Sequence, residues 1–410
     1  MDTISVLVVD DSALMRNLVS RMIEHAPDMT VVGKAMNGDF ALQKIPMLKP
    51  DVIILDLEMP KMNGLEFLEE RRKQGIDVPV IILSSIARKG AKVTMDALAM
   101  GAADFVTKPS GSISTDIHVV ADHVQALIRA YGGRYARSIG KDIPHIPPED
   151  AVRQVGEDVT QPASPAPSAA PAAEPPVETE QPPPQVPVSP DRSQPAPDTR
   201  AHGFPPFAAG PLPSRIELIA IGISTGGPNA LRKMLAAIDR GLEVPIIIVQ
   251  HMPAGFTYEF AKSLDRICPL SVKEAEDGDA LIPGRILISP GNYHIEVSAA
   301  EKKVVRLSSA APENGHRPSA DVLFRSAAAH FGNRCMAVIM TGMGRDGARE
   351  IGTLYQHGAI TLAQDPASCV VYGMPKVAFD AGYIRRQVPL AHMADMICTL
   401  AASPKEVLQA

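Results

Sequence analysis

Three side chains in this chain could together perform acyl transfer. Ser224 lies in Gly222-Ile223-Ser224-Thr225-Gly226, where the apolar run Ile216–Ile223 stops and a helical pattern begins near Asn229. A buried strand, a Gly-rich turn and a helix in that order fit a nucleophile elbow of the G-x-S-x-G type. Such a turn sets a hydroxyl beside the free N–H groups of a helix N-terminus, which favour developing negative charge. The same turn could instead cradle a phosphate, and the stretch alone does not choose between the two.

The rest of the chain bears on that choice. His251 follows a second buried run, Pro245–Val249. Asp346 follows a third, Cys335–Met340, inside Thr341-Gly342-Met343-Gly344-Arg345-Asp346-Gly347. A lone histidine is more often structural, and a lone aspartate before glycine more often caps a helix or closes a turn. Ser, His and Asp at three carboxyl strand ends together favour a triad. Asp346 would orient the imidazole, and His251 would take the Ser224 proton and pass it to the leaving group. The backbone N–H groups of Thr225 and Met343 are candidate oxyanion donors. The order Ser, His, Asp is not the Ser, Asp, His order of α/β-hydrolases, so the motif does not imply that fold.

A second constellation lies near the start. Asp10 and Asp11 end the run Ser5–Val9, Asp56 ends Val52–Leu55, Ser84 ends Val80–Leu83, and Lys108-Pro109 ends Asp104–Thr107. Three carboxylates at one sheet edge repel each other unless a hard cation joins them, and Mg²⁺ with oxygen ligands suits that. A carboxylate can also be a nucleophile that forms an aspartyl phosphate. Lys108 would then meet the phosphoryl oxygens as a point charge, and the Ser84 hydroxyl could sense them. The bland reading, solvated strand-end residues, suits one such acid better than four strand ends with complementary chemistry.

The elements that must position these residues are readable. Residues 1–125 alternate short strands with helical patterns such as Leu14, Leu18 and Met22, which predicts a doubly wound parallel sheet. From 136 to 213 Pro and Ala dominate, and no Phe, Tyr or Trp occurs between Tyr135 and Phe204. Such a segment buries too little apolar surface to offset its ordering entropy and reads as a disordered, semi-extended tether. A docking site for a Pro-recognising partner is the less common alternative. Residues 214–404 read as a second doubly wound α/β domain, with Arg285–Ser289 as a strand and Tyr293–Leu307 as a hairpin.

Composition narrows the function classes. The net charge of −6 gives no general attraction to nucleic acid. No basic helix-turn-helix follows Arg215, against a DNA-binding output domain. The start, MDTISVLVVDDS, lacks a basic n-region, and no apolar run approaches a membrane span, so a cytoplasmic protein is expected. The four cysteines, Cys268, Cys335, Cys369 and Cys398, are scattered and read as reduced and mostly buried.

Two resemblances follow from these motifs. VLVVDDS, LDLEMPKMNG, VPVIILSS and DFVTKP, in that order, resemble the receiver domain of bacterial two-component response regulators. That likeness implies Asp56 as phosphoacceptor, Mg²⁺ bound by Asp10, Asp11 and Asp56 with the backbone carbonyl of Glu58, Ser84 and Lys108 as the phosphate-sensing pair, and a histidine kinase as phosphodonor. IGISTGGPNAL, VQHMPAGFT, ISPGNYH, MTGMGRDGA and VYGMPK resemble the catalytic domain of the chemotaxis protein-glutamate methylesterases, members of the response-regulator class. This second likeness implies Ser224, His251 and Asp346 as the triad, with no cofactor for ester hydrolysis. It also implies hydrolysis of glutamyl methyl esters on methyl-accepting chemoreceptors, deamidation of receptor glutamines, and a receiver that masks the Ser224 edge until phosphorylated. The rival from another class is a non-enzymatic response regulator whose Gly226-Gly227 turn binds a phosphorylated ligand. The long linker departs from what a compact regulated pair needs.

Overall fold

The structure is a computed structural model and describes residues 2–85, 88–108, 117–143, 213–299 and 302–404. The N-terminal sheet comprises β1 (Ile4–Val9), β2 (Met29–Ala35), β3 (Val52–Asp56), β4 (Val80–Ser84) and β5 (Asp104–Thr107), in the order β2-β1-β3-β4-β5. All pairings are parallel. Val, Ile and Leu dominate β1, β3 and β4, because helices cover both faces of a parallel sheet; Asp56 and Ser84 stand at the carboxyl ends. The edge strand β2, MTVVGKA, was not evident in the sequence. Its side chains are mostly half-buried, and Gly33 and Lys34 dilute the apolar pattern.

Most of the expected linker, residues 144–212, lies outside the described residues. Its expected beginning at 136 is corrected. The helix Ile117–Leu127 runs on through a π turn, Ile128–Gly132, into a last helix, Gly133–Ser138. The chain then stays pinned to the sheet, with Ile143 buried in the same apolar cluster as Ile4 and Lys141 Nζ 2.7 Å from Asp51 Oδ2. Composition missed this because Ala136 and Ile143 contribute burial singly, not as a periodic run.

The second sheet has seven strands: β6 (Leu218–Ile223), β7 (Ile246–Gln250), β8 (Ser271–Glu274), β9 (Arg285–Ile288), β12 (Cys335–Ile339), β13 (Ile360–Gln364) and β14 (Arg386–Val388), in the order β14-β13-β12-β6-β7-β9-β8. Every pairing in it is parallel. The expected hairpin is β10 (His294–Ser298) with β11 (Val304–Ser308), antiparallel. Helices Gly227–Ala236, Phe256–Asp265 and Leu390–Ala402 bury their apolar stripes on one face, and Ala320–His330, Ala348–Gln356 and Met374–Asp380 on the other. Chain order reverses between β6 and β12, so the crevice at their carboxyl ends is the topological switch point where such sheets place ligands. The four cysteines are free, two of them buried. Among the described residues no helix is long and apolar enough to cross a membrane.

The two domains meet beside that crevice. Phe105 of β5 stacks on Phe256, ring centroids 5.0 Å apart and planes 3° from parallel, and helix Arg88–Ala99 packs against Phe256–Asp265. Asn229 Nδ2 donates to the backbone oxygens of Ala102 and Ala103 at 2.9 and 2.7 Å. Burying two stacked aromatic rings contributes about 0.5–1.5 kcal/mol beyond their area alone, enough to bias docking without making it permanent.

Candidate active site

Ser224 directly follows β6. Its backbone N–H donates to Thr341 O at 3.0 Å, which ties the end of β6 to the end of β12. That close approach requires glycine at 342, since a Cβ there would lie 2.8 Å from Ser224 Cβ. Gly226 turns the chain at φ +78°, a left-handed conformation that side chains with a Cβ adopt at a cost. The helix then starts at Gly227 rather than near Asn229, with Pro228 in its first turn, where the missing N–H costs nothing. Gln250 braces the turn, its Nε2 donating to Ser224 O at 3.0 Å and to His251 O at 3.2 Å.

His251 and Asp346 pair directly, with His251 Nε2 2.8 Å from Asp346 Oδ2. The carboxylate accepts further bonds from Ser319 Oγ (2.6 Å), Asn314 Nδ2 (2.8 Å) and the Ala320 N–H (2.6 Å). Burial pushes the Asp346 carboxyl up, but His251, Ser319 and Asn314 outweigh it and hold the group well below the usual carboxylate range. Asp346 therefore stays ionised and fixes the proton of His251 on Nε2. The other ring nitrogen, Nδ1, is buried without a partner. Among the described residues no hydrogen bond joins it to Ser224 Oγ, a link that in such sites often forms only with substrate bound. The backbone N–H groups of Thr225 and Met343 are likewise not spent on any other described group, whereas the Gly226 N–H is.

Ser319, Asn314 and Gln250 went unread in the sequence. Only Asn314 carries a local signal, since Asn314-Gly315 is a turn pair. The other two act through side chains whose neighbours lie far away in the chain.

At the first sheet, the carboxylate oxygens of Asp10, Asp11 and Asp56 lie within 4.8 Å of one another. Lys108 Nζ bridges Asp10 Oδ2 at 2.9 Å and Asp56 Oδ2 at 2.8 Å. Burial raises the Asp56 carboxyl, Lys108 lowers it, and Asp10 raises it further, leaving it above its ordinary value. Such a cluster of oxygens suits a hard divalent cation. Ser84 Oγ lies 2.5 Å from Thr94 Oγ1. Glu58 contributes its N–H to Asp56 Oδ1 at 3.3 Å.

Comparisons with known proteins agree on both halves. The family model for the response regulator receiver domain matches residues 6–117, and that for CheB methylesterase matches residues 219–397. A protein-glutamate methylesterase/protein-glutamine glutaminase of Treponema denticola is 49% identical over 97% of this chain and 98% of its own length. One of the same name from Treponema pallidum is 48% identical over 96% of each chain. Another, numbered 2, from Koribacter versatilis is 42% identical over 98% of this chain and 97% of its own.

Proposed function

The chain belongs to the protein-glutamate methylesterase/protein-glutamine glutaminase family, a receiver domain joined to a CheB methylesterase domain, and from that premise we propose that Ser224, His251 and Asp346 carry its hydrolytic reaction. The protein is a phosphorylation-regulated chemotaxis methylesterase; its receiver domain supports a kinase as phosphodonor, and its CheB methylesterase domain supports chemoreceptors as substrate. The observation that carries the site assignment is the His251 Nε2–Asp346 pair, which leaves Nδ1 as the nitrogen able to take a proton.

In the reaction, Ser224 Oγ attacks the carbonyl carbon of a glutamyl methyl ester while His251 Nδ1 takes the hydroxyl proton. The carbonyl oxygen becomes an oxyanion facing the N–H groups of Thr225 and Met343. The C–O bond to methanol breaks, and methanol leaves with the proton from Nδ1. Water, deprotonated by the same nitrogen, then cleaves the acyl-serine, giving glutamate and restoring Ser224. A glutamine side chain follows the same course with ammonia as the leaving group. Asp346 stays ionised throughout and steadies the imidazolium.

At the receiver, Asp56 accepts the phosphoryl group, and Asp10, Asp11 and Asp56 with the Glu58 carbonyl would hold Mg²⁺. The ion supplies charge neutralisation on the phosphoryl oxygens. Lys108 and Ser84 would meet the new phosphate. The docked receiver keeps receptor helices off the Ser224 crevice until then. The rival phosphate-binding reading leaves the His251–Asp346 pair without a task.

The test is methanol release from methylated receptor with and without a phosphodonor, together with phosphonate labelling of Ser224. Ser224→Ala should abolish release and labelling, with His251→Ala comparably severe because triad members act as a unit. Wild-type rates in Ser224→Ala protein would end the assignment.

A further inference from the structure

The turn Glu313–His316 touches both the base and the acid of the site. Glu313 and His316 exchange backbone N–H···O bonds of 3.0 and 2.9 Å, and Asn314 and Gly315 between them have φ of +53° and +79°. This is a two-residue hairpin turn with both central residues left-handed, and Asn-Gly tolerates that pair of conformations best. Its geometry offers two side chains to the site. Asn314 Nδ2 uses both its hydrogens, one on Asp346 Oδ1 and one on Asp321 Oδ2, each at 2.8 Å. The His316 ring lies flat against the His251 ring, centroids 3.9 Å apart and planes 11° from parallel.

We propose that His316 is a positioning residue for the esterase reaction: its ring face fixes the plane of His251, keeping Nε2 on Asp346 and Nδ1 free for the Ser224 proton, and backs the imidazolium that forms. The inference rests on the triad reading above. One hydrogen bond to Asp346 leaves an imidazole free to swing about that bond. A flat surface in contact with its face removes that freedom, and the chemistry needs it removed because proton transfer depends on alignment.

The charge state also fits. A cationic partner at this distance would repel the imidazolium. Burial and the neighbouring His251 pull His316 down to about 4, Asp346 pushes back, and His123 of the receiver adds to the lowering. His316 therefore presents a neutral π face near neutral pH, and such a face attracts a cation lying over it. No part of this requires His316 to exchange a proton with substrate.

The test uses the full chain with Mg²⁺ and a small-molecule phosphodonor, so that wild type and variants are compared with the receiver phosphorylated. His316→Leu and His316→Gln both remove the ring face, one with an apolar group and one with a polar group, so misfolding of either leaves the other. His316→Phe keeps a flat neutral ring. The readouts are the rate of fluorophosphonate labelling at Ser224 across about pH 5 to 9, and kcat and KM for methanol release.

Leu and Gln should slow labelling and kcat about tenfold or more with KM nearly unchanged, and should move the acid limb of the labelling profile to lower pH. Phe should stay within about threefold of wild type with that limb unmoved. Ring-less variants that label at the wild-type rate, or a Phe variant as slow as Leu, would overturn the inference. Failure of a fluorophosphonate to label wild-type Ser224 would instead sink the triad reading itself, so the two failures are distinguishable.

Discussion

Asp104, the first residue of β5, accepts a hydrogen bond from the backbone N–H of Gly226 at 2.8 Å. Gly226 caps the helix that follows Ser224 and has no side chain of its own to do so. A receiver carboxylate thus binds the N–H of the cap residue itself, two residues from the proposed nucleophile. It is buried there and also accepts from the Tyr131 hydroxyl at 3.4 Å. The receiver is therefore held to the crevice by a specific polar contact as well as by the Phe105–Phe256 stack.

Removing that contact should loosen the docked state. Below about pH 6, where the carboxyl is protonated, its carbonyl oxygen still accepts from Gly226, and a neutral hydrogen bond contributes about 0.5–1.5 kcal/mol. At about pH 5, Asp104→Ala should therefore raise methanol release by the unphosphorylated chain several-fold, with little change once phosphorylated. A basal rate equal to wild type would show that the contact carries none of the repression.

The same contact should make docking depend on pH. Burial, opposed by the N–H groups of Gly226 and Phe105 and by Tyr131, raises Asp104 to about 6 in the docked form. Once undocked and solvated, the carboxyl returns toward its ordinary 3.8. A raised value means the docked form binds the proton more tightly. Its contribution to docking is fully present below the ordinary value and is lost as pH rises through about 6. His123, which burial lowers to about 4, opposes this in acid, but it does so equally in an Asp104→Asn chain. The ratio of wild-type to Asp104→Asn basal activity should therefore climb as pH rises through 6, and a ratio flat across that range would refute the linkage.

Strand ends made the site legible. Ser224, His251 and Asp346 each follow a short run of Val, Ile, Leu, Ala or Met, and a parallel sheet must bring such ends to one edge. The acids, Ser84 and Lys108 were legible for the same reason. What escaped were residues whose role depends on neighbours far along the chain. Asp104 reads as an ordinary first strand residue until Gly226, 122 positions away, is placed against it. His316 follows a turn signal, yet nothing local says that its ring meets His251. Tyr293–Leu307 declared itself by alternation, whereas β2 and the three-residue β14 did not, because edge strands carry mixed side chains.

Phosphorylation should act through Ser84 and Thr94. The Ser84 hydroxyl is tied to Thr94, which sits on the helix Arg88–Ala99 that packs against the catalytic domain. A phosphate on Asp56 would compete for that hydroxyl, and the tie to the docking helix would then break. Asp56→Asn should accept no radiolabel from a phosphodonor and keep the low basal esterase rate. Thr94→Val should lose the tie without a phosphate and raise the basal rate several-fold, about 1 kcal/mol of one neutral hydrogen bond. Label persisting on Asp56→Asn would place the acceptor elsewhere, and an unchanged Thr94→Val rate would remove the tie from the coupling.

The catalytic half alone gives the sharpest test of masking. A fragment from about Arg215 onward keeps the seven-stranded sheet, the Ser224 turn, the His251–Asp346 pair and the Glu313–His316 turn. It loses Phe105 from Phe256, Asp104 from Gly226 and the Ala102 and Ala103 carbonyls from Asn229. Phe256, stacked on Phe105 in the whole chain, becomes partly exposed, which lowers solubility. If the receiver acts by covering the crevice, the fragment should hydrolyse methylated receptor at least as fast as the unphosphorylated whole chain and should not respond to phosphodonor. If phosphorylation instead works mainly by improving receptor engagement, the fragment lacks that aid and should be slower. Steady-state methanol release by both proteins on one receptor preparation decides it: a fragment slower than the unphosphorylated chain rules out masking as the main control.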